Sequence, residues 1–191
     1  MLEKIKQIDT QFFLFLNSKH SPFWDMIMQW VSDKYSWIPF YALLVVVIGI
    51  KLRWRYLLLV IPIAALLITL SDQLSVHLFK NIFERCRPCH NINIQQFVHL
   101  VSGCGGKFGF VSSHAANSFA LALFTGLLLK TKIRFILPFM IGWAMLVSYS
   151  RIYNGVHYPA DIAVGALLGL IIGWGCFRLY TYLYERFTKR C

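Results

Sequence analysis

Five apolar runs divide the chain, each set off from the next by a short polar or basic stretch. They extend from Trp37 to Ile50, Tyr56 to about Leu78, about Ala115 to Leu129, Phe135 to about Tyr149, and Ile162 to about Tyr180. A membrane-crossing helix needs about 20 mainly apolar residues, and two of the runs fall short of that length. Pro62, inside the second run, is tolerable in a bilayer because neighbouring helices satisfy the carbonyl it frees. The pattern predicts an all-α integral-membrane bundle of about five to six transmembrane helices.

The first 35 residues read differently. Phe12, Phe13, Phe15 and Leu16 are apolar, but Lys19, Asp25, Asp33 and Lys34 interrupt the stretch too soon for a clean span. That arrangement predicts one or two amphipathic helices in the membrane interface, with Trp24, Trp30, Tyr35 and Trp37 in the headgroup belt. A sixth, imperfect span is the alternative. No compact apolar segment followed by a small-residue cleavage site marks a signal peptide. With no repeat or linker, the chain is expected to be a single domain, its interfacial region at 1–35 and its transmembrane part at 36–191.

Composition supports lipid as the solvent: 58% of residues are hydrophobic, only 14% are charged, and the mean hydropathy is +0.58. Soluble domains carry about a quarter charged residues, so an ordinary cytosolic fold is excluded. Nineteen Lys and Arg against eight Asp and Glu give a formal charge of +11. These cations lie between apolar runs rather than along one stripe, which argues topology and not nucleic acid. Lys51, Arg53 and Arg55 share one turn, Lys130, Lys132 and Arg134 another, and Arg178, Arg186, Lys189 and Arg190 close the chain. Short cytoplasmic loops are enriched in Lys and Arg, so these groups and the C-terminus are expected in the cytoplasm. Alternation then brings residues 81–113 and 151–158 together on the opposite, extracytoplasmic face.

Three motifs fall on that face. Lys80 and Arg87, the latter followed by Pro88, are seven residues apart, nearly two helical turns; a continuing helix would aim both cations at one anion. Read alone, they are equally well interfacial anchors. Ser112, Ser113 and His114 directly precede and open the third run: Ser112 is a candidate N-cap, and the free N–H groups of the first turn form an anion site beside His114. Arg151, His157 and Asp161 join the fourth and fifth runs through the Asn154-Gly155 turn, with Pro159 suited to the first helical position. The Asp161 carboxylate is then close enough to hold one nitrogen of His157 and leave the other to attack. Together these residues form an anion-handling set suited to phosphoryl transfer.

In this order the motifs resemble the signature of the type 2 phosphatidic acid phosphatase and vanadium haloperoxidase superfamily: K-x6-R-P, P-S-G-H and S-R-x5-H-x3-D. Residues 80–88 match the first part and 150–161 the third. In the second, Val111-Ser112-Ser113-His114 keeps Ser and His but replaces Pro and Gly. The resemblance implies a membrane phosphatase that works on a lipid phosphate without metal or other cofactor. His157 would form a phosphohistidine, Asp161 would orient it, and His114 would protonate the leaving oxygen and then activate water. Lys80, Arg87, Ser112, Ser113 and Arg151 would bind the phosphate. A lipid A phosphate, undecaprenyl diphosphate, phosphatidylglycerophosphate and phosphatidic acid are the substrates it admits, at the outer face of the cytoplasmic membrane. A small anion transporter or channel that binds without turnover is the competing reading, and a haloperoxidase is a third.

Other features stay outside that set. Cys86, Cys89 and His90 fit the C-x-x-C-H pattern of c-type haem attachment, but the pattern overlaps Arg87 and Pro88. With Cys104 on the same face, a disulfide from Cys104 to Cys89 or Cys86 is the alternative use of those thiols. Gly103, Gly105, Gly106 and Gly109 mark a mobile cover or a close backbone approach. Asp72 lies inside a span and is expected to support Lys80 or bond a neighbouring helix. His20, His77, His90 and His99 match no motif and read as structural or solvent-facing.

Overall fold

The computed structural model describes residues 2–189, except for the side chains of Leu2, Lys80, Phe187 and Lys189. Lys80 as a phosphate ligand, and Lys189 and Arg190 of the C-terminal basic group, therefore lie outside the described residues and side chains. All regular elements among the described residues are helical. They are α1 (Leu2–Asn17), α2 (Pro22–Ser32), α3 (Ile38–Leu52), α4 (Leu57–Leu74), α5 (Asn81–Phe83), α6 (Ser113–Leu129), α7 (Ile136–Tyr153) and α8 (Pro159–Lys189). Four stretches are long and apolar enough to cross a membrane: Tyr35–Leu52, Trp54–Phe83, Ile136–Tyr153 and Pro159–Arg186. Each of the five apolar runs has become a helix, and the chain is an integral membrane protein.

Helix α6, 17 residues long, is the axis of the bundle. Its buried positions are mostly small, among them Ala115, Ala116, Ala120, Ala122 and Gly126. The stripe Gly165, Gly169 and Gly173 of α8 packs along it in parallel; a Cβ at those glycines would overlap the carbonyl oxygens of Ser112, Ala116 and Ala120 respectively. Small residues four apart let two helix backbones touch where lipid offers no hydrophobic drive for association. Larger side chains seal the surround: Ile63, Leu67, Phe124 and Ile172 on one side, Leu44, Phe119, Met140 and Trp143 on the other. Leu58, Ile61, Phe139, Leu167 and Trp174 face outward, as lipid requires.

The basic turns meet at one end. Tyr56, at the start of α4, lies 4.8 Å from Tyr184 near the end of α8, measured between ring centroids. The end of α6 closes the same side, and the long 84–112 segment and the α7–α8 turn occupy the other.

Helices α1 and α2 lie against that second end. Along α1, Asp9, Phe13 and Asn17 recur every four residues on the inner face, while Ile5, Ile8, Phe12 and Phe15 are exposed. Phe13 is fully buried against Tyr158 and Ile152. Asn17 donates to the carbonyls of Tyr153 (2.8 Å) and His99 (3.0 Å) and accepts from the His99 N–H (2.8 Å). The amphipathic pair expected from sequence is present, with its inner face bonded to the chain segments that carry the site.

Candidate active site

His157 precedes α8 by two residues, and Asp161 occupies the first turn of α8, where a carboxylate also meets the positive end of the helix dipole. Both are buried. Asp161 Oδ2 accepts the Tyr158 N–H (3.0 Å) and lies 3.4 Å from His157 Nδ1. The second ring nitrogen, Nε2, is therefore the one available to a substrate. Burial lowers the His157 pKa to about 4, with Asp161 opposing the shift, so the imidazole is neutral and nucleophilic at neutral pH.

Sequence reasoning missed what holds Asp161. Arg85 Nη1 donates to Asp161 Oδ1 at 2.9 Å, and Nη2 donates to Asp9 Oδ2 at 2.6 Å. The same guanidinium lies over the Tyr158 ring, 3.9 Å from its centroid. Asp9 completes the circuit by accepting the Ala160 N–H at 2.9 Å, which caps α8. One cation thus ties two carboxylates to a single helix N-terminus. Arg85 could have been noticed two residues before Arg87; nothing in the sequence places Asp9, 152 positions from Asp161, beside it.

The helical spacing expected for Lys80 and Arg87 does not persist. The last turns of this segment, Ser75–Lys80, are wound as a π-helix, α5 ends at Phe83, and Glu84 turns the chain with φ +43°. Residues 85–87 then run extended and pair with 107–109: Arg87 N–H donates to Lys107 O (3.0 Å) and Gly109 N–H to Arg85 O (2.9 Å). In an extended segment residues two apart share a face, so Arg85 and Arg87 point the same way, towards Asp161 and His157. Burial lowers the Arg87 pKa, and the Asp161 carboxylate opposes the shift. Gly109 lets the partner strand close over the site: a Cβ there would sit 2.9 Å from Arg87 Cγ and 3.5 Å from both His157 Nδ1 and Asp161 Oδ2. The glycine-rich loop thus brings its backbone close to Arg87, His157 and Asp161. A Cys89–Cys104 disulfide, Cα–Cα 6.0 Å, staples the ribbon, and Cys86 is a free thiol. The haem-attachment pattern is overturned, since Cys89 is already bonded.

Arg151 closes the other side. Its Nη1 donates to Ser32 Oγ at the end of α2. Nε of Arg151 and Nε of Arg87 are buried with no hydrogen-bond partner among the described residues. Two guanidinium groups with buried donors to spare, around a neutral histidine, are fitted to a phosphate.

Ser112 caps α6 as expected, its Oγ accepting the Ala115 N–H, and its own N–H donates to Asp161 O (3.1 Å), which joins the N-termini of α6 and α8. Ser113 stands where the family pattern has Gly, and its hydroxyl pairs with Ser75 Oγ at 2.6 Å. His114, in the first turn, lines a cavity of about 640 Å³ bounded by α3, α4, α6 and α7. Ser32, Lys34, Asp72, Ser113, His114 and Asn117 ring its polar end; Leu44, Ile48, Val60 and Phe124 line the rest. Between Ser113 and Thr125 it follows α6 for about 18 Å at 1.5 Å per residue. Asp72, set apart from the site in the sequence, belongs to this cavity wall.

With that geometry in place, comparison with known proteins is informative. The PAP2 superfamily model matches residues 56–185. A lipid A 4′-phosphatase of Bacteroides thetaiotaomicron is 38% identical over 192 residues, covering 100% of this chain and 83% of that protein. Its counterpart from Porphyromonas gingivalis is 34% identical over 186 residues, covering 97% and 78%. The crystal structure of a transmembrane PAP2-type phosphatidylglycerolphosphate phosphatase from Bacillus subtilis shares the fold: TM-score 0.69 and 20% identity, covering 96% of this chain and 87% of that one.

Proposed function

The chain belongs to the PAP2 superfamily and is a membrane lipid phosphate hydrolase; from that premise we propose that it removes the 4′-phosphate of lipid A through a phosphohistidine on His157. The observation that carries the reading is the pair of arginines beside His157, Arg87 and Arg151, each with a buried Nε unpartnered among the described residues, joined through Ser32 to an apolar cavity. Ser32 holds Arg151 and also lines the cavity beside His114. A lipid headgroup can meet the arginines while an acyl chain lies between α3, α4 and α6. The near full-length likeness to two lipid A 4′-phosphatases supports lipid A as the substrate.

In this mechanism His157 Nε2 attacks phosphorus as the bond to the sugar oxygen breaks, and His114 gives that oxygen its proton. His114 then takes a proton from water, which attacks the phosphohistidine and releases inorganic phosphate. Arg87, Arg151, Lys80 and the N–H groups at the start of α6, beside Ser112 and Ser113, neutralise the equatorial oxygens. Asp161 holds His157 in the tautomer that exposes Nε2. The basic turns at the far end of the bundle support an extracytoplasmic site in the cytoplasmic membrane, with the C-terminus inside.

The test is phosphate release in detergent, with EDTA present, from lipid A, undecaprenyl diphosphate, phosphatidylglycerophosphate and phosphatidic acid. Release from lipid A, with mass spectrometry showing loss at the 4′ position and none from His157→Ala, is the expected result. Release from another lipid in preference would overturn the substrate, and turnover by His157→Ala would overturn the mechanism.

A further inference from the structure

Outside the active site, three metal-ligating side chains from three segments converge at one point. His20 lies in the turn between α1 and α2, Asp25 in the first turn of α2, and His99 after the 95–97 turn of the long loop. One donor atom from each lies within 4.8 Å of the others. The His20 and His99 rings stack in parallel, 3.6 Å between centroids and 3° between planes. His99 Nε2 sits 3.0 Å from Asp25 Oδ1. We propose that His20, Asp25 and His99 bind a divalent transition-metal ion, best matched by zinc, which clasps the N-terminal helices to the loop over the active site.

Two imidazoles and one carboxylate are a donor set that zinc accepts, with a fourth position left for water. Zinc bonds of about 2.0–2.1 Å place tetrahedral ligand atoms about 3.3 Å apart, close to the His99–Asp25 separation. Parallel rings must fan out to point at one ion. His20 is exposed and makes no hydrogen bond among the described residues, so its ring turns by giving up only its stacking on His99. The other two ligands are already fixed from behind. Asp25 Oδ1 accepts the Tyr153 O–H at 2.7 Å, and both backbone groups of His99 are held by Asn17. Supports of this kind orient metal ligands and raise affinity. The Tyr153 hydrogen bond, followed by His99, also keeps the Asp25 carboxyl below its ordinary pKa, so it offers a charged oxygen.

The position gives the ion a structural role. Tyr153 is two residues from Arg151, and Asn17 bonds the carbonyls of Ile152, Tyr153 and His99. A cation here would fasten the α1–α2 turn to the segment that presents Arg151 and His157 without entering the phosphate site. Hydrolysis needs no cation in the proposed mechanism, so this clasp stands or falls separately from it.

The experiment uses full-length protein in detergent, purified without a polyhistidine tag, stripped with chelator and titrated with Zn²⁺ alone. One Zn²⁺ per chain and a Tm that rises with zinc concentration are expected, as for any ligand that binds only the folded state. His20→Ala should weaken binding by more than about a hundredfold, beyond the roughly 10–100-fold that losing an outer partner costs, and His20→Cys, which restores a donor, should recover it. Co²⁺ in place of zinc should show the visible absorption of a four-coordinate ion, lost in His20→Ala. Because His20 is exposed, these variants keep the fold, and His99→Ala is the second check. No zinc retained above a His20→Ala/His99→Ala double variant, or a Tm response unchanged by His20→Ala, would overturn the proposal.

Discussion

Replacing Arg85 with Gln keeps a hydrogen-bonding amide on a shorter side chain but removes the charge that joins Asp161 to Asp9. Asp161 is 1% exposed and Asp9 9%, while Arg85 is 23% exposed at its outer edge. Stripping a buried ion pair of one partner costs about 3–5 kcal/mol; the partial exposure of Arg85 puts the expected loss near the lower end, about 3 kcal/mol. The catalytic effect follows from position. Arg85 bonds the carboxyl oxygen opposite the one that faces His157, so without it Asp161 can rotate and release the imidazole. A displacement of about 1 Å in a reacting group can cost about 10²-fold in rate, and kcat should fall towards that limit. KM should change little, because in the proposed mechanism Arg87 and Arg151, not Arg85, hold the phosphate. Arg85→Lys should restore part of kcat, since an ammonium can reach one carboxylate but cannot fork between two. Thermal unfolding and steady-state phosphate release from the four variants of an Asp9→Asn/Arg85→Gln cycle measure both effects. Contacting charged residues should couple by about 0.5–3 kcal/mol. If Arg85→Gln keeps kcat within about twofold, less than half a kcal/mol of barrier, and the cycle shows no coupling, Arg85 does not position Asp161.

Four further outcomes follow from the geometry. His157 has a folded value of about 4 against 6.5 unfolded, so as pH falls the unfolded chain takes up the proton first. Stability present above pH 6.5 should decline until about pH 4, losing about 3 kcal/mol at about 1.4 kcal/mol per pH unit. Tm against pH should be steeper in this window for wild type than for His157→Gln, and equal slopes would contradict the buried neutral imidazole. Gly109→Ala should push Arg87 aside and lower kcat/KM by about tenfold, measurable by phosphate release at low substrate. Cys104→Ser opens a loop of 15 residues and should cost about 3 kcal/mol in chemical unfolding, an effect reproduced in wild type by reductant. Gly169→Val should cost at least about 1–3 kcal/mol by forcing α8 off α6, whereas Gly175→Ala, with open space around it in the helix, should raise Tm slightly.

What could be read in the sequence was whatever depends on local order. The five apolar runs predict helices because each must bury its own backbone in lipid; four formed within a few residues of the expected ends, while α8 runs nine residues past Tyr180 to Lys189. Ser112 was legible as a cap and Pro159 as a first-turn residue because both roles are set by immediate neighbours. The extended course of Arg87 was not, since it depends on pairing with residues 107–109, and a seven-residue spacing is as natural to a helix. The same limit hid the α6–α8 contact. Gly165, Gly169 and Gly173 are visible as a stripe, but only the partner surface of Ala116 and Ala120 shows why no side chain is tolerated there. The Ser113 departure also resolves in three dimensions. Where the family has Gly, the hydroxyl added here is bonded to Ser75, so the first turn of α6 gains a polar side chain without leaving it unpaired.

The N-terminal segment shows why position in the chain is a poor guide to position in the mechanism. Considered alone, α1 is an interfacial helix: Ile5, Ile8, Phe12 and Phe15 are exposed on one side, as a headgroup boundary demands. Its other side carries Asp9, one step behind Arg85, bonded at once to that cation and to the start of α8. A carboxylate at this depth is costly unless it is paired, and it is paired twice. The simplest physical account is that Asp9 balances Arg85. Without it, Arg85 would present its full charge to Asp161 and to the two neighbouring arginines, Arg87 and Arg151, that must attract phosphate. With Asp9 in place, the Arg85–Asp9 pair contributes little net charge, so the cationic field of the pocket comes mainly from the groups that face the substrate. Asp161 then receives a fixed hydrogen bond and His157 a fixed partner, and the N-terminal amphipathic helix is itself part of what fixes them.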